Sequence, residues 1–351
     1  GIEIEEWPAR IAQTALHLAD HQANQRMELA LGKAPEPLPL DKVETIHVSN
    51  ALRTPWESIF MPTPDVYIMG NPPFIGQSLK DIDQKSDLQL VWGDQYDGYL
   101  DYVTGWYKKA ADYYRYSPAG QFAFVSTNSI AQGQPVQALF RPLFDAGWEI
   151  SFAHQTFAWT SEAPGPAHVH AVIIGFEKGR DTKPRLFTYP DIKATPVEIP
   201  ASRINNYLID APNMWIGTRD EPLGPLPAAR YGSKPTDGSN LIVGKKDYDS
   251  VAADPIAAKY LRTLIGAQEL INNTPRWCLW LVDVEPEDIR ASRVLRERIE
   301  AVRSFRQSSS KKATNKKAST PHLFDENHQP EAKYVCIPSH FSETRRYMTA
   351  A

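Results

Sequence analysis

Cysteine is almost missing from this 351-residue chain: Cys278 and Cys336 are its two. They lie far apart and show no metal-ligand spacing, so the sequence carries no disulfide framework, and the chain reads as a reduced, cytoplasmic protein. No apolar run approaches the roughly 18 residues that a membrane span needs. No secretory leader is visible, and no internal repeat. Neither charge sign dominates: 38 Lys and Arg against 42 Asp and Glu leave a formal net charge of −4. The sum therefore announces no polyanionic partner, but the distribution is uneven. Basic residues crowd 290–317, whereas the first fifty residues are Glu-rich. That pattern permits a nucleic acid on one face.

What is present begins abruptly. "GIEIEE" alternates apolar and acidic residues as a strand does, from the first residue and without Met, and reads as a fragment cut inside a domain. A helix is predicted over 7–31, with Pro8 in its first turn. Strands are predicted at "VETIHVS", "DVYIMG", "GQFAFVST", "EISFAHQTFAW" and "AHVHAVIIGFEKG", and helices over 95–115 and "PVQALFRPLFDAG". Strand and helix alternate and then two strands follow in succession, which predicts an open α/β sheet with an antiparallel strand near its end. After Gly179 the texture turns Pro-, Asn- and Gly-rich. A boundary is placed at 180, giving domains over 1–180 and 181–351, the second α+β. Within it "DPIAAKYLRTLIG" reads as a helix, "RWCLWLVD" as a strand, 285–306 as one long helix and "SSSKKATNKKAST" as a mobile loop.

The stretch "DVYIMGNPPFIGQS" is the most informative. Two adjacent prolines have no backbone N–H and end a central strand, so Asn71, Pro72, Pro73 and Phe74 form a stiff loop at its carboxyl end. In open α/β sheets that end is where ligands bind. The Asn71 side-chain oxygen and a neighbouring proline carbonyl are two uncharged acceptors, able to take both hydrogens of an exocyclic amino group. Phe74 offers a face for a base taken out of a duplex. The plainer alternative is a turn, since Asn-Pro and Pro-Pro mark turns in any protein.

"NPPF" resembles the catalytic loop of amino-group DNA methyltransferases, which act on adenine N6 or cytosine N4 with S-adenosylmethionine. Together with "GIEIEEWPARIAQTAL", "NALRTPW", "FVSTNSIAQG", "FAWTSEAPGPAHVHAVIIGF" and "RWCLWL…VRSFRQSS…PHLF…YVCIPSHFSETRRYM", in that order, it resembles the MmeI-like single-chain restriction–modification enzymes. The resemblance covers nearly the whole chain. It implies a Rossmann-like methyltransferase sheet, truncated at its N-terminal side, followed by a DNA-recognition domain. Adenine N6 is the implied target and double-stranded DNA the implied partner. Glu3 matches the acid on the cofactor ribose. Asn50 stands where many relatives carry Asp near the cofactor adenine. Phe157 or Trp159 matches an aromatic that packs on the flipped base, with burial in the core as the alternative. The family's first glycine-rich segment would lie just before Gly1, so cofactor binding by this chain alone is expected to be weak or absent. Two rival functions remain: a non-catalytic DNA-binding specificity module, and a cytosine-N4 methyltransferase. Methylation of RNA or of protein glutamine is disfavoured by the length of the second domain.

Other signals come from the residues themselves. The predicted helix over 285–306 is Arg-rich, and with the Lys-rich stretch after it suggests phosphate positioning by Arg303, Arg306, Lys311, Lys312, Lys316 and Lys317. A solvated helix is the alternative. Arg345 and Arg346 suit guanine readout, and structural ion pairing serves as well. Asp65 with "DQK" at 83–85 mimics a nuclease motif but opens the strand that delivers Asn71. His168 and His170 alternate on a strand, and packing outranks a metal pair; no metal is expected.

Overall fold

A computed structural model of the chain describes residues 1–33, 46–159, 169–179, 182–217, 219, 221–340, 345 and 347–351. His168 and Arg346 lie outside them. The chain forms two compact units, Gly1–Arg219 and Asp220–Ala351.

The first unit opens with β1 (Ile2–Glu3) and α1 (Glu6–Leu31). β1 pairs in parallel with β2 (His47–Val48). β3 (Tyr67–Gly70) leads to α2 (Ile82–Trp92) and α3 (Thr104–Tyr113), then β4 (Gly120–Thr127) and α4 (Pro135–Asp145). β5 (Glu149–Trp159), β6 (Val169–Lys178), β7 (Arg185–Thr188) and β8 (Val197–Ile199) come next. Among the described residues these strands make a sheet of order β3-β4-β6-β5-β7-β8. β3 and β4 run parallel, and β6 is antiparallel to both β4 and β5. Two strands are therefore reversed: β8, at the edge, where an antiparallel strand is expected, and β6, inside the sheet. β4 alternates fully and partly buried residues, with Phe122 and Phe124 in a core shared with Tyr107, Phe140, Trp148 and Phe176. The mixed α/β architecture is the expected one.

The first unit runs past 180 because β7 adds to β5 in parallel and β8 adds antiparallel to β7. Ala201, Ile204 and Leu208 are buried in the same core. The helix expected over 95–115 covers only its second half, as α3. α2 is an addition to the expected elements; Asp81 caps it and Gln84 returns the bond, a capping box legible as D-x-x-Q.

In the second unit β9 (Ile242–Val243) precedes α5 (Tyr248–Ala252), β10 (Leu261–Thr263), α6 (Ala267–Asn272) and β11 (Trp277–Leu279). β11 pairs antiparallel with both β9 and β10. The helix expected over 254–266 is instead one 3-10 turn running into β10, because Leu261 to Thr263 pair with β11. The long helix is interrupted at Ser292, giving α7 (Pro286–Ala291) and α8 (Arg293–Gln307), where the Ser292 side chain caps α8. The Lys-rich stretch is not simply a loop: it holds α9 (Lys312–Lys316). No helix among the described residues is long and apolar enough to cross a membrane.

Candidate active site

Gly70 ends β3 opposite Phe124, and the chain leaves the sheet as Asn71-Pro72-Pro73-Phe74. Pro72 is buried and Phe74 half-buried, while Asn71 is exposed. Among the described residues no hydrogen bond engages the Asn71 amide. The prolines contribute no donor, so the loop is fixed by the residues after it. Ile75 O accepts from Tyr102 N at 3.0 Å. Gln77 N donates to Asp101 Oδ1 at 2.8 Å. Lys80 is buried and its ammonium donates to the carbonyls of Gly98 and Leu100. Burial pulls the Lys80 pKa below the ordinary lysine value. An exposed amide is thus presented on a loop anchored from behind.

Glu3 and Asn50 come together at the carboxyl ends of the parallel pair β1 and β2. Glu3 Oε1 accepts from Ile4 N and Glu5 N at 2.8 and 3.3 Å, and Ser49 N donates to Glu3 O. Asn50 is turned inward. Its Oδ1 accepts from Leu52 N at 2.9 Å and its Nδ2 donates to Asp87 at 2.9 Å. Beside Ser49, a cleft of about 500 Å³ is lined by Ile46, His47, Val48, Thr54 and Ser58.

Asp87 is buried and also accepts from Tyr102 OH at 2.7 Å and Arg53 Nε at 2.5 Å. Burial pushes its pKa up, but hydrogen bonds from Asn50, Tyr102 and Arg53 outweigh that and hold it below the ordinary value. A depressed folded-state pKa contributes stability that is full above about pH 4 and is lost as pH falls through the folded pKa. Asp87→Asn is therefore expected to cost about 2 kcal/mol at pH 7, from weakened hydrogen bonds at a buried carboxylate whose cationic partner Arg53 is half exposed. The gap between variant and wild type should narrow below about pH 4. Denaturant unfolding of the chain at pH 7 and pH 3 checks both; a gap that widens at pH 3 contradicts the assignment.

The sequence points to neither Asp87 nor Asp101. Both hide among the acids of 81–101, and "DQYDGYLDY" has the Gly and Asp content of a turn inside the stretch expected to be helical.

Phe157 and Trp159 stand at the same end of the sheet as the proline loop. Thr127, at the carboxyl end of β4, pairs with Ala171, which pairs with Phe157. The two rings are half-buried, with centroids 6.2 Å apart. Phe157 stacks on Tyr189 at 5.1 Å, and the Tyr189 hydroxyl bonds His154 Nδ1 at 2.9 Å. Burial, then Arg185, lowers the His154 pKa, so this ring is neutral at pH 7. Among the described residues no group of three or more His, Cys, Asp or Glu is placed to hold a metal ion.

In the second unit the basic residues divide. Arg306 is a correction. It is buried, and its guanidinium donates to the carbonyls of Pro235, Thr236, Lys317, Thr320 and Leu323. With every donor turned inward it has no reach toward a phosphate. Arg303 is exposed and pairs with Glu300 at 3.2 Å. Lys311, Lys312 and Lys316 are exposed, and a cleft of about 350 Å³ is lined by Ser309, Ser310, Lys312, Asn315 and Lys316. Lys317 is exposed and donates to Asp325 O at 3.1 Å. Arg345 is exposed and donates to Thr349 Oγ1 at 2.9 Å.

Two family models match the chain in succession. Residues 1–188 match the family model "MmeI, DNA-methyltransferase domain", and residues 210–351 match "MmeI, target recognition domain". DNA methyltransferase A of Bacillus subtilis (strain 168) is 35% identical over 353 residues, covering 99% of this chain and 40% of that protein. A solved structure of the Type IIL restriction-modification enzyme MmeI in complex with DNA superposes with a TM-score of 0.87 at 41% identity. It covers all of this chain and 47% of that one. The chain thus spans less than half the length of these relatives. Two domain models matched in order across nearly every residue, on a fold that superposes throughout, make the chain a member of the MmeI family.

Proposed function

We propose that the chain supplies the methyl-transfer loop and the target-recognition unit of a DNA methyltransferase acting on adenine N6 within a single-chain restriction–modification enzyme. The observation that carries the reading is the exposed Asn71 amide, unpartnered among the described residues, at the carboxyl end of β3 beside a buried proline and a half-buried ring. Asn71 Oδ1 and the Pro72 carbonyl accept the two hydrogens of the target amino group and orient its lone pair. Phe74 stacks on the extruded base, with Phe157 or Trp159 as a second face. S-adenosylmethionine, when bound, supplies an electrophilic methyl group. The amino nitrogen would take the methyl group as the cofactor's sulfur–carbon bond breaks and lose its proton to solvent only afterwards, so no base with a shifted pKa is required at the start. Glu3 fits the cofactor ribose: its Oε1 is occupied by two backbone amides, which leaves Oε2 as an acceptor. Asn50 fits the adenine less fully, since one lone pair of its Oδ1 remains. The choice of adenine over cytosine N4 rests on the family likeness. The reaction belongs in the cytoplasm, with the DNA.

The test is transfer of a labelled methyl group from S-adenosylmethionine to duplex DNA by the full-length gene product. Incorporation that depends on sequence is the expected result; none with any duplex would reject the reading.

In the second unit we assign phosphate positioning to Arg303, Lys311, Lys312, Lys316 and Lys317, and base reading to Arg345 and Arg346. Exposed ammonium groups on a polar segment follow a backbone charge without fixing a base contact. Replacing Lys311, Lys312 and Lys316 by Ala is expected to weaken binding about equally on all duplexes. The log–log salt dependence should flatten by about 0.9 for each phosphate no longer neutralised. Changing Arg345 should alter preference among sequences. A binding selection on randomised duplexes at several salt concentrations separates the two, and a lysine set that shifts the preferred sequence would invert the assignment.

A further inference from the structure

The geometry points to Asp101 as the positioning residue of the Asn71–Phe74 loop. The inference rests on the methyl-transfer reading above. Asp101 is buried, and no Lys or Arg among the described residues forms an ion pair with it. Its carboxylate ties two strand ends together instead. Oδ1 accepts from Gln77 N at 2.8 Å, behind the proline loop of β3. Oδ2 accepts from Thr127 Oγ1 at 3.1 Å and Ser129 Oγ at 2.5 Å, at the carboxyl end of β4. Ser129 Oγ and Thr127 Oγ1 lie 2.9 Å apart; each has a single hydrogen, so for one of the two a bond to its neighbour and a bond to Oδ2 are alternatives.

The need for such a tether comes from the loop's composition. Pro72 and Pro73 have no N–H, so no ladder bond holds them to β4. The loop's position is set by the first hydrogen bonds after it, Ile75 O to Tyr102 N and Gln77 N to Asp101. Both end on adjacent residues. Tyr102 continues through its hydroxyl to Asp87, which holds Asn50. The segment 101–102 thus connects the amide that would hold the target amino group with the Asn50 side of the cofactor site. Charge-assisted bonds to a buried carboxylate are shorter and stronger than neutral ones, and a displacement of about 1 Å at a reacting group costs up to roughly a hundredfold in rate.

The test compares Asp101→Ala and Asp101→Asn in the full-length gene product. In Asp101→Ala, single-turnover methyl transfer is expected to fall about a hundredfold, with the Kd for duplex and for S-adenosylmethionine changed less than about threefold. Hydrogen exchange at amides 75–79 should speed up markedly, while the amides of α4 stay protected. Asp101→Asn keeps an acceptor for Gln77 N, and the two hydroxyls can turn to accept from its amide; it should recover most of the rate and of the protection. Transfer near the wild-type rate with unchanged exchange at 75–79 would overturn the proposal. So would a rate loss matched by equal loss of protection in α4, which marks a stability effect alone. A wild-type protein that transfers no methyl group rejects the methyl-transfer reading, and the exchange pattern then still decides whether Asp101 fixes the loop.

Discussion

Asn71→Ala in the full-length gene product is expected to lower the single-turnover rate of methyl transfer by roughly 10³, with duplex affinity unchanged. Loss of one preorganised polar group at a reacting centre costs about 10²–10³ in rate, equivalent to roughly 4 kcal/mol of barrier at the upper end. Here the substitution removes an acceptor and leaves the amino lone pair unoriented, and both effects act at the transition state. Asn71 is exposed and bonds to nothing else among the described residues, so the variant should fold as the wild type does. Asn71→Asp is a useful companion, because it keeps an acceptor and adds a charge. A methylation rate within threefold of wild type in Asn71→Ala would remove Asn71 from the chemistry. A drop in duplex affinity that accounts for the whole effect would assign it to binding.

Arg306→Ala is expected to unfold the second unit. The five guanidinium N–H groups meet five backbone carbonyls at 2.8–3.0 Å. Those carbonyls come from residues 235–236, before β9, and 317–323, after α9, so one side chain ties two segments distant in sequence to α8. Burial lowers the Arg306 pKa, and Asp325 and Asp237 oppose the shift. Each orphaned buried carbonyl costs on the order of 1 kcal/mol. Five of them amount to about 5 kcal/mol, comparable with the whole stability of a domain. Lysine has three donors and leaves at least two carbonyls unmet, so Arg306→Lys should rescue little. Thermal unfolding of both variants provides the measurement. A variant that keeps its melting temperature and loses only duplex binding would restore Arg306 to the DNA-contacting set.

Arg303 and Arg306 also show where sequence reading succeeds and stops. Both lie in an Arg-rich helix, and a count of basic residues treats them alike. The apolar stripe of α8 does not: its buried residues Leu295, Ile299 and Val302 repeat at helical spacing, and Arg306 continues the series. The signal is in the periodicity, and the charge obscures it. The proline loop is legible for the opposite reason. A missing N–H is a property of the residue itself, independent of tertiary context. The capping box of α2 is equally local, yet it lies outside the expected elements. Residues 261–263 are beyond local reading: they sit in a helix-like pattern, and only pairing with β11 makes them a strand. The Asp101 tether joins residues 24 to 28 positions apart in sequence, and nothing local marks which acid of 81–101 makes it.

The central claim is that the Asn71–Phe74 loop directs methylation to an exocyclic amino nitrogen. Digestion to nucleosides of duplex DNA treated with the full-length gene product and S-adenosylmethionine, followed by mass spectrometry, tests it most directly. The account predicts N6-methyldeoxyadenosine, formed roughly 10³ more slowly when Asn71→Ala replaces the wild type; 5-methyldeoxycytidine, or N6-methyldeoxyadenosine formed equally fast by the variant, would contradict it.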